Sequence, residues 1–304
     1  MRRASGTGIL ACAVFLAAAT VFAQQPGQPP AGRGGGGRGD GGPGDGGRGD
    51  GGRGDGGRAE GGPGQAGRGG QGGRGGQGGR GGARGPMFAP LEEAGFKSIF
   101  DGRSLKGWDG DPDFWRVEGG VMIGETKADH QPKQNIFCIW RDGKPADFEL
   151  KLDYKITGAN TGNSGIQYRS VELPDVARWV LKGYQADIDA QQQFTGQIYE
   201  ERARGFLALR GQFNYVTDGK KPGVVGSLGD NAELKSFIKV EDWNEIHIVA
   251  RGNVLIQLIN GHAMSQLIDD DKAGRKMDGL IGIQLHRTNG PMKIESRNIR
   301  IKDL

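Results

Sequence analysis

The chain has 304 residues, 60 of them glycine, with 25% charged residues and a formal net charge of +4. Residues 24–86 hold nine arginines against five acidic residues, Arg2 and Arg3 add two more positive charges, and the remainder from Met87 onward carries −2. The part able to fold is therefore not a basic nucleic-acid-binding domain, because the basicity lies outside it.

Residues 1–23 read as a secretory signal, with Arg2 and Arg3 at the start, "ILACAVFLAAATV" as the apolar stretch and Val21-Phe22-Ala23 as the cleavage site. The apolar stretch is shorter than the roughly 20 residues a membrane span needs. The expectation is an exported protein, periplasmic or extracellular after cleavage near Ala23, without a membrane span. Residues 24–86 are low in complexity and offer nothing to bury, so ordering them would bring no compensating gain. They read as a flexible tether. Arg-Gly-Gly runs can bind single-stranded nucleic acid, but this tract lacks the aromatic residues that stack on bases, and no nucleic-acid partner is expected. After cleavage only Cys138 remains, between Phe137 and Ile139. No intrachain disulfide can then form, and the thiol reads as a small buried hydrophobe. Residues 87–304 suffice for one large domain.

Within that domain, helix-period runs are nearly absent and two-residue alternation prevails. "FELKLDYKI" places Phe148, Leu150, Leu152, Tyr154 and Ile156 on one face and Glu149, Lys151, Asp153 and Lys155 on the other, as in a sheet with one wet side. In "NTGNSGIQYRS" a turn leads into a strand whose apolar face is Ile166 and Tyr168 and whose polar face is Gln167 and Arg169. "ELPDVARWVL" fits a helical turn or a loop equally well. "GYQADIDA" alternates Tyr184, Ala186 and Ile188 with Gln185, Asp187 and Asp189. "NEIHIVARGNVLIQLING" reads as a hairpin turning at Arg251-Gly252-Asn253. "IGIQLHR" alternates Ile281, Ile283 and Leu285 with Gly282, Gln284 and His286, and "MKIESRNIRIKDL" comes next as a further strand region. Many strands and almost no helix predict an all-β sandwich.

Three of these strands carry amides, carboxylates, Arg or His on the face opposite the core. Side by side they would line a concave, hydrogen-bonding groove suited to a polyhydroxylated ligand such as a sugar. A solvated outer sheet face is the plainer alternative, although such faces normally carry Lys and Thr.

The segments "GFKSIFDGRSLKGWDG…FWRVEGGVMIG", "TGNSGIQYRS", "GYQADID", "WNEIHIVARGNVLIQLING" and "GLIGIQLHRTNGPMKIESRNIRIKDL" occur in series from about Gly95 to Leu304. In this the chain resembles the 3-keto-disaccharide hydrolase domain family, long described as a domain of unknown function. The resemblance implies a concanavalin A-like jelly-roll sandwich acting on glycosides oxidised at C3, and a separate sugar oxidoreductase could supply such substrates. A C3 ketone acidifies the C2 hydrogen, so cleavage needs a base near C2, an acid for the leaving oxygen and donors for an enolate oxygen. Assigned by chemistry, His286 is the first choice for acid/base work, Asp187 and Asp189 are the carboxylate candidates, and Arg169 stabilises the enolate or carbonyl. Gln167, Gln185 and Gln284 bind hydroxyls, Tyr199 and Glu200 complete the rim, and Trp179 is the stacking candidate.

Two other readings stand beside this one. A non-catalytic carbohydrate-binding module would use the same groove. An ordinary retaining glycosidase would need carboxylates on alternate strand residues, but the first position of Gln185-Ala186-Asp187-Ile188-Asp189 is an amide. No cofactor is expected. Asp109–Asp113 resembles the start of a calcium loop without its Gly or its closing Glu, and Asp269-Asp270-Asp271 reads as a solvated turn; either could hold Ca²⁺.

Overall fold

The structure, a computed structural model, describes residues 93–158 and 160–304. The signal-like stretch, the tether and the boundaries expected for them lie outside the described residues. The strands run β1 (Lys97–Ser98), β2 (Trp108–Asp109), β3 (Trp115–Glu118), β4 (Val121–Thr126), β5 (Ile136–Trp140) and β6 (Phe148–Thr157). They continue through β7 (Asn163–Glu172), β8 (Leu181–Asp189), β9 (Ile198–Glu201), β10 (Gly205–Ala208), β11 (Gln212–Thr217) and β12 (Gly223–Ser227). After the short helix α1 (Asn231–Ser236) come β13 (Asn244–Arg251), β14 (Val254–Ile259), β15 (His262–Asp270), β16 (Leu280–Leu285) and β17 (Met292–Asp303).

They form two sheets. One has the order β12-β11-β15-β14-β13-β6-β17-β4-β3 with β1 added on β17, and the other the order β10-β9-β8-β7-β16-β5-β2. The larger sheet behaves as its alternation predicts. Phe148, Leu150, Leu152, Tyr154 and Ile156 are buried against Ile166, Tyr168, Tyr184, Ile188 and Ile283 of the smaller sheet. Its outer face carries ion pairs such as Lys151 with Glu93 and Arg297 with Asp153. The period slips once: Ile294 and Ile299 both face the core because a bulge with Asn298 at φ 52° inserts a residue into β17. Residues 173–180, between β7 and β8, form turns, and the helix lies instead at Asn231–Ser236, where the Asp230 carboxylate caps the N–H groups of Ala232 and Glu233.

The smaller sheet differs in kind. β7, β8 and β16 are buried on both faces, so the polar alternates are not a solvated surface. The sheet curls far enough for Asn135, just before β5, to donate to Glu201 Oε1 on β9 at 3.3 Å, while Arg202 donates to Gln134 Oε1 at 3.3 Å. Two strand neighbourhoods four positions apart thereby meet over the concave face.

The two sheets are also joined by a buried ion cluster. Arg204, after β9, donates to both carboxylate oxygens of Asp269 on β15 at 3.0 and 2.6 Å and to Glu200 Oε2 at 2.5 Å. Tyr184 adds its hydroxyl to Asp269 at 2.5 Å. Because Glu200 and Asp269 are buried, removing their cation leaves charge without compensation. Arg204→Ala should destabilise the domain by roughly 3–5 kcal/mol, read as a lowered urea midpoint, whereas Lys97→Ala in the exposed pair with Asp303 should change it by less than about 1 kcal/mol.

Candidate functional site

The concave face of the smaller sheet is set by register. Gln167 lies opposite Gln185, Gly165 opposite Asp187, and Gly282 opposite Gln167, which brings Gln284 beside Gly165. Tyr199 of β9 lies opposite Gln185 on the other side. A side chain at Gly165 would collide with Gln185, since a Cβ there would stand 2.6 Å from its Cγ and Cδ. The missing side chain lets the Gln185 amide lie across β7.

That amide is the hub of a buried network. Gln185 Oε1 accepts from Gln284 Nε2 at 3.1 Å and from Gln167 Nε2 at 3.4 Å, and Gln185 Nε2 donates to Asp187 Oδ1 at 2.7 Å. Ser170 Oγ donates to Gln167 Oε1 at 2.9 Å. Each amide nitrogen carries two N–H groups, so Gln167 and Gln284 each keep one that this hub does not use. Gln284 Oε1 is buried without a partner.

Burial pushes the Asp187 carboxyl well above the usual carboxylate range, and the negative charges of Glu201 and Asp189 add to this against the Gln185 hydrogen bond. Glu201 is raised in the same sense by burial, opposed by its bond from Asn135. The Tyr199 phenol rises to about 12, first from burial and then from Glu201 and Asp187. These three acids sense one another across one corner of the face.

His286 lies just after β16 and is half-buried. Its Nδ1 lies 2.6 Å from the Arg287 carbonyl, which can only accept, so Nδ1 carries the hydrogen and Nε2 presents the lone pair. Burial lowers its pKa below the ordinary 6.5, against that bond. Asn135 ties this end to the acids, accepting from the Arg287 N–H at 3.0 Å and donating to Glu201.

Three expected site residues, Arg169, Glu200 and Asp189, are placed elsewhere, each for a local reason. Arg169 does not face the groove: it sits in a bulge at φ 46°, is 1% exposed, and binds the carbonyls of Ala146 and Gly252 and the Asp147 carboxylate. Glu200 faces the core in the Arg204 cluster. Adjacent residues of a strand point to opposite faces, so Tyr199 and Glu200 could not both line the rim; Glu201 is the residue beside Tyr199. Asp189 is saturated by the loop after β8, accepting from the N–H groups of Gln193, Phe194 and Thr195 at 2.8, 2.9 and 2.8 Å and from Thr195 Oγ1 at 2.8 Å. Trp179 bonds Asp109 Oδ1 at 2.7 Å and packs on Phe137, Ile139, Leu181 and Leu280, an apolar wall at the β5 end of the face. At the β9–β10 end the rings of Tyr199, Phe206 and Phe194 form a second wall, with centroids 5.0 Å and 5.8 Å from that of Phe206.

The acidic runs are engaged by cations: Asp109 by Arg141, and Asp269 and Asp271 by Arg204. Among the described residues no three His, Cys, Asp or Glu side chains are grouped to hold a metal ion. Nor does any helix there have the length and apolarity to cross a membrane.

Residues 95–302 match the 3-keto-alpha-glucoside-1,2-lyase-like domain, and the chain belongs to that family. No curated protein matches. Among solved structures, one provisionally described as a glycosyl hydrolase from Parabacteroides distasonis is 20% identical, with a TM-score of 0.46, covering 69% of this chain and 99% of that one. The carbohydrate-binding module CBM66 of Bacillus subtilis is 14% identical, with a TM-score of 0.41 over 65% and 96% of the two chains. A Bacillus subtilis protein of unknown function with a galectin-like fold is 11% identical, with a TM-score of 0.42 over 66% and 90%.

Asp187 holds its proton more tightly folded than unfolded, so stability falls as pH rises from its unfolded pKa through its raised folded one. Asp187→Asn keeps the acceptor for Gln185 and removes the charge. The variant should be the more stable of the two at pH 7.5, with the gain vanishing towards pH 4. Thermal melts of both proteins across that range check it.

Proposed function

We propose that the protein cleaves the glycosidic bond of 3-keto-glycosides, 3-keto-disaccharides among them, by elimination followed by hydration. The observation that carries this reading is the buried Gln167–Gln185–Gln284–Asp187 cluster, which joins spare amide donors to a carboxyl that favours its proton. Membership of the family supports it. In the first half-reaction Nε2 of His286 removes the C2 proton, and the C–H electron pair forms the C2–C3 enolate. With Arg169 turned away, the spare N–H groups of Gln167 and Gln284 are the donors for the C3 oxygen as charge gathers on it. The enolate collapses to a C1=C2 bond, the C1–O bond breaks, and protonated Asp187 gives its proton to the leaving oxygen. In the second half water adds at C1 and loses a proton to the Asp187 carboxylate. The electron pair returns through the enolate to C2, which takes the proton from His286. Both side chains return to their starting states and the net change is hydrolysis.

Among rival readings, a retaining glycosidase needs two free carboxyl groups about 5–5.5 Å apart, and Asp189 is fully engaged by its own loop. A binding module would need the amides alone, and would have no use for an imidazole with a fixed tautomer. The signal-like start supports action outside the cytoplasm, with an oxidoreductase supplying the keto-sugar.

The direct experiment is incubation with 3-keto-glucosides and their unoxidised parents, followed by product analysis; turnover of neither would overturn the reading. His286→Ala should lower kcat by about 10²–10⁴ while changing ligand affinity by only about 0.5–1.5 kcal/mol. Because the imidazole works unprotonated and its pKa is lowered, the acid limb of the wild-type rate profile should lie below pH 6.5. A His286→Ala enzyme with near-normal turnover would remove the base role from His286.

A further inference from the structure

The loop after β8 does more than close a turn. Asp189 collects the N–H groups of Gln193, Phe194 and Thr195 and the Thr195 hydroxyl on one carboxylate, which fixes residues 189–195 as a unit. The loop is held from its other side as well, because Arg210 donates to the carbonyls of Thr195 at 2.6 Å and Gln192 at 3.1 Å. The residue so positioned is Phe194, whose ring stacks on Phe206 with an interplanar angle of 19°. Phe206 is the register partner of Tyr199, and Tyr199 is the partner of Gln185. The three rings therefore continue the row that starts at the amide hub, on the side of Asp187 and Glu201. All three are half-buried, whereas the amides and the carboxyl beside them are buried. A strip of hydroxyl-binding amides seats one sugar ring, and flat apolar surface beside it has no part in that binding.

We infer that Tyr199, Phe206 and Phe194 form a second subsite, which takes the group on the far side of the cleaved bond when that group is a ring with an apolar face, either a pyranose or an aryl group. The inference rests on the proposed 3-keto-glycoside cleavage and names the leaving-group class for that same site. An aromatic ring recognises the apolar face of a second ring by dispersion and by its quadrupole, with no directional hydrogen bond. The subsite accordingly selects ring shape over hydroxyl pattern. Asp189, which touches neither ring, is a positioning residue through its hold on the Phe194 loop.

The test uses the full chain and three 3-keto-glucosides with methyl, phenyl and glucosyl leaving groups. For the wild type, kcat/KM should be at least about tenfold higher with a ring than with methyl, beyond the difference in the uncatalysed rates. Phe206→Ala should reduce that ring-to-methyl ratio by roughly tenfold, and Phe206→Leu, which keeps apolar volume but no flat face, should reduce it in the same direction. Loss of the phenyl preference alone assigns the subsite to aryl groups, and loss of both assigns it to rings in general; either supports the inference. An unchanged ratio in a Phe206→Leu enzyme that melts like the wild type would overturn it. If the wild type turns over none of the three, the cleavage reading fails instead, and the subsite is judged by calorimetric titration with phenyl glucoside. Tenfold weaker binding to Phe206→Leu then supports it, and equal binding overturns it.

Discussion

The structure depends on one constraint: the smaller sheet buries both of its faces, and one of those faces is polar. Buried amides and carboxyls must satisfy one another or destabilise the fold. Gln185 meets this demand by accepting from two neighbouring amides and donating to Asp187, and the absent side chain at Gly165 leaves room for it to do so. The arrangement is incomplete at two points, the unpartnered Gln284 Oε1 and the carboxyl of Asp187.

The same constraint separates residues that hold the fold from residues left free for chemistry. Arg169, Arg204, Glu200 and Asp189 are charged and buried or nearly so, yet each is fully compensated by carbonyls, N–H groups or an opposite charge. His286 and Asp187 are not. The first presents an unoccupied Nε2, and burial raises the pKa of the second, with the charges of Glu201 and Asp189 adding to the shift. The surroundings of the two push their proton affinities in opposite directions, as the proposed base and acid roles require. Asn135 links the two ends of the sheet through Arg287 and Glu201, and these contacts maintain its curl.

The larger sheet was open to reading from the chain because its period is regular. "FELKLDYKI" buries its apolar alternates and exposes its charged ones as period two requires, and "NEIHIVARGNVLIQLING" turns at its Gly-Asn pair. The polar faces of β7, β8 and β16 were equally legible, and Gln167, Gln185, Asp187 and Gln284 do meet. Alternation failed where the backbone departs from period two. The bulge at Arg169 and the bulge at Asn298 each shift the facing of the residues C-terminal to them, and a positive φ at a residue other than Gly leaves no mark in composition. Glu201 could have been found in place of Glu200 by applying the two-residue period to Tyr199.

By itself, then, the sequence determined the class of fold, the inner and outer residues of regular strands, and the presence of an amide-rich face, because these come from local periodicity. Which strands adjoin, and therefore which amides share a hydrogen bond, was decided by tertiary structure, since register joins residues such as Gln185 and Gln284 that lie far apart in the chain. So was the division of the charged residues. Asp187 and Asp189 are identical side chains two positions apart on one strand face, and nothing local tells them apart. Only the loop that closes over Asp189, and the burial of Asp187 within reach of the Glu201 charge, make one a structural cap and the other a carboxyl with a raised pKa.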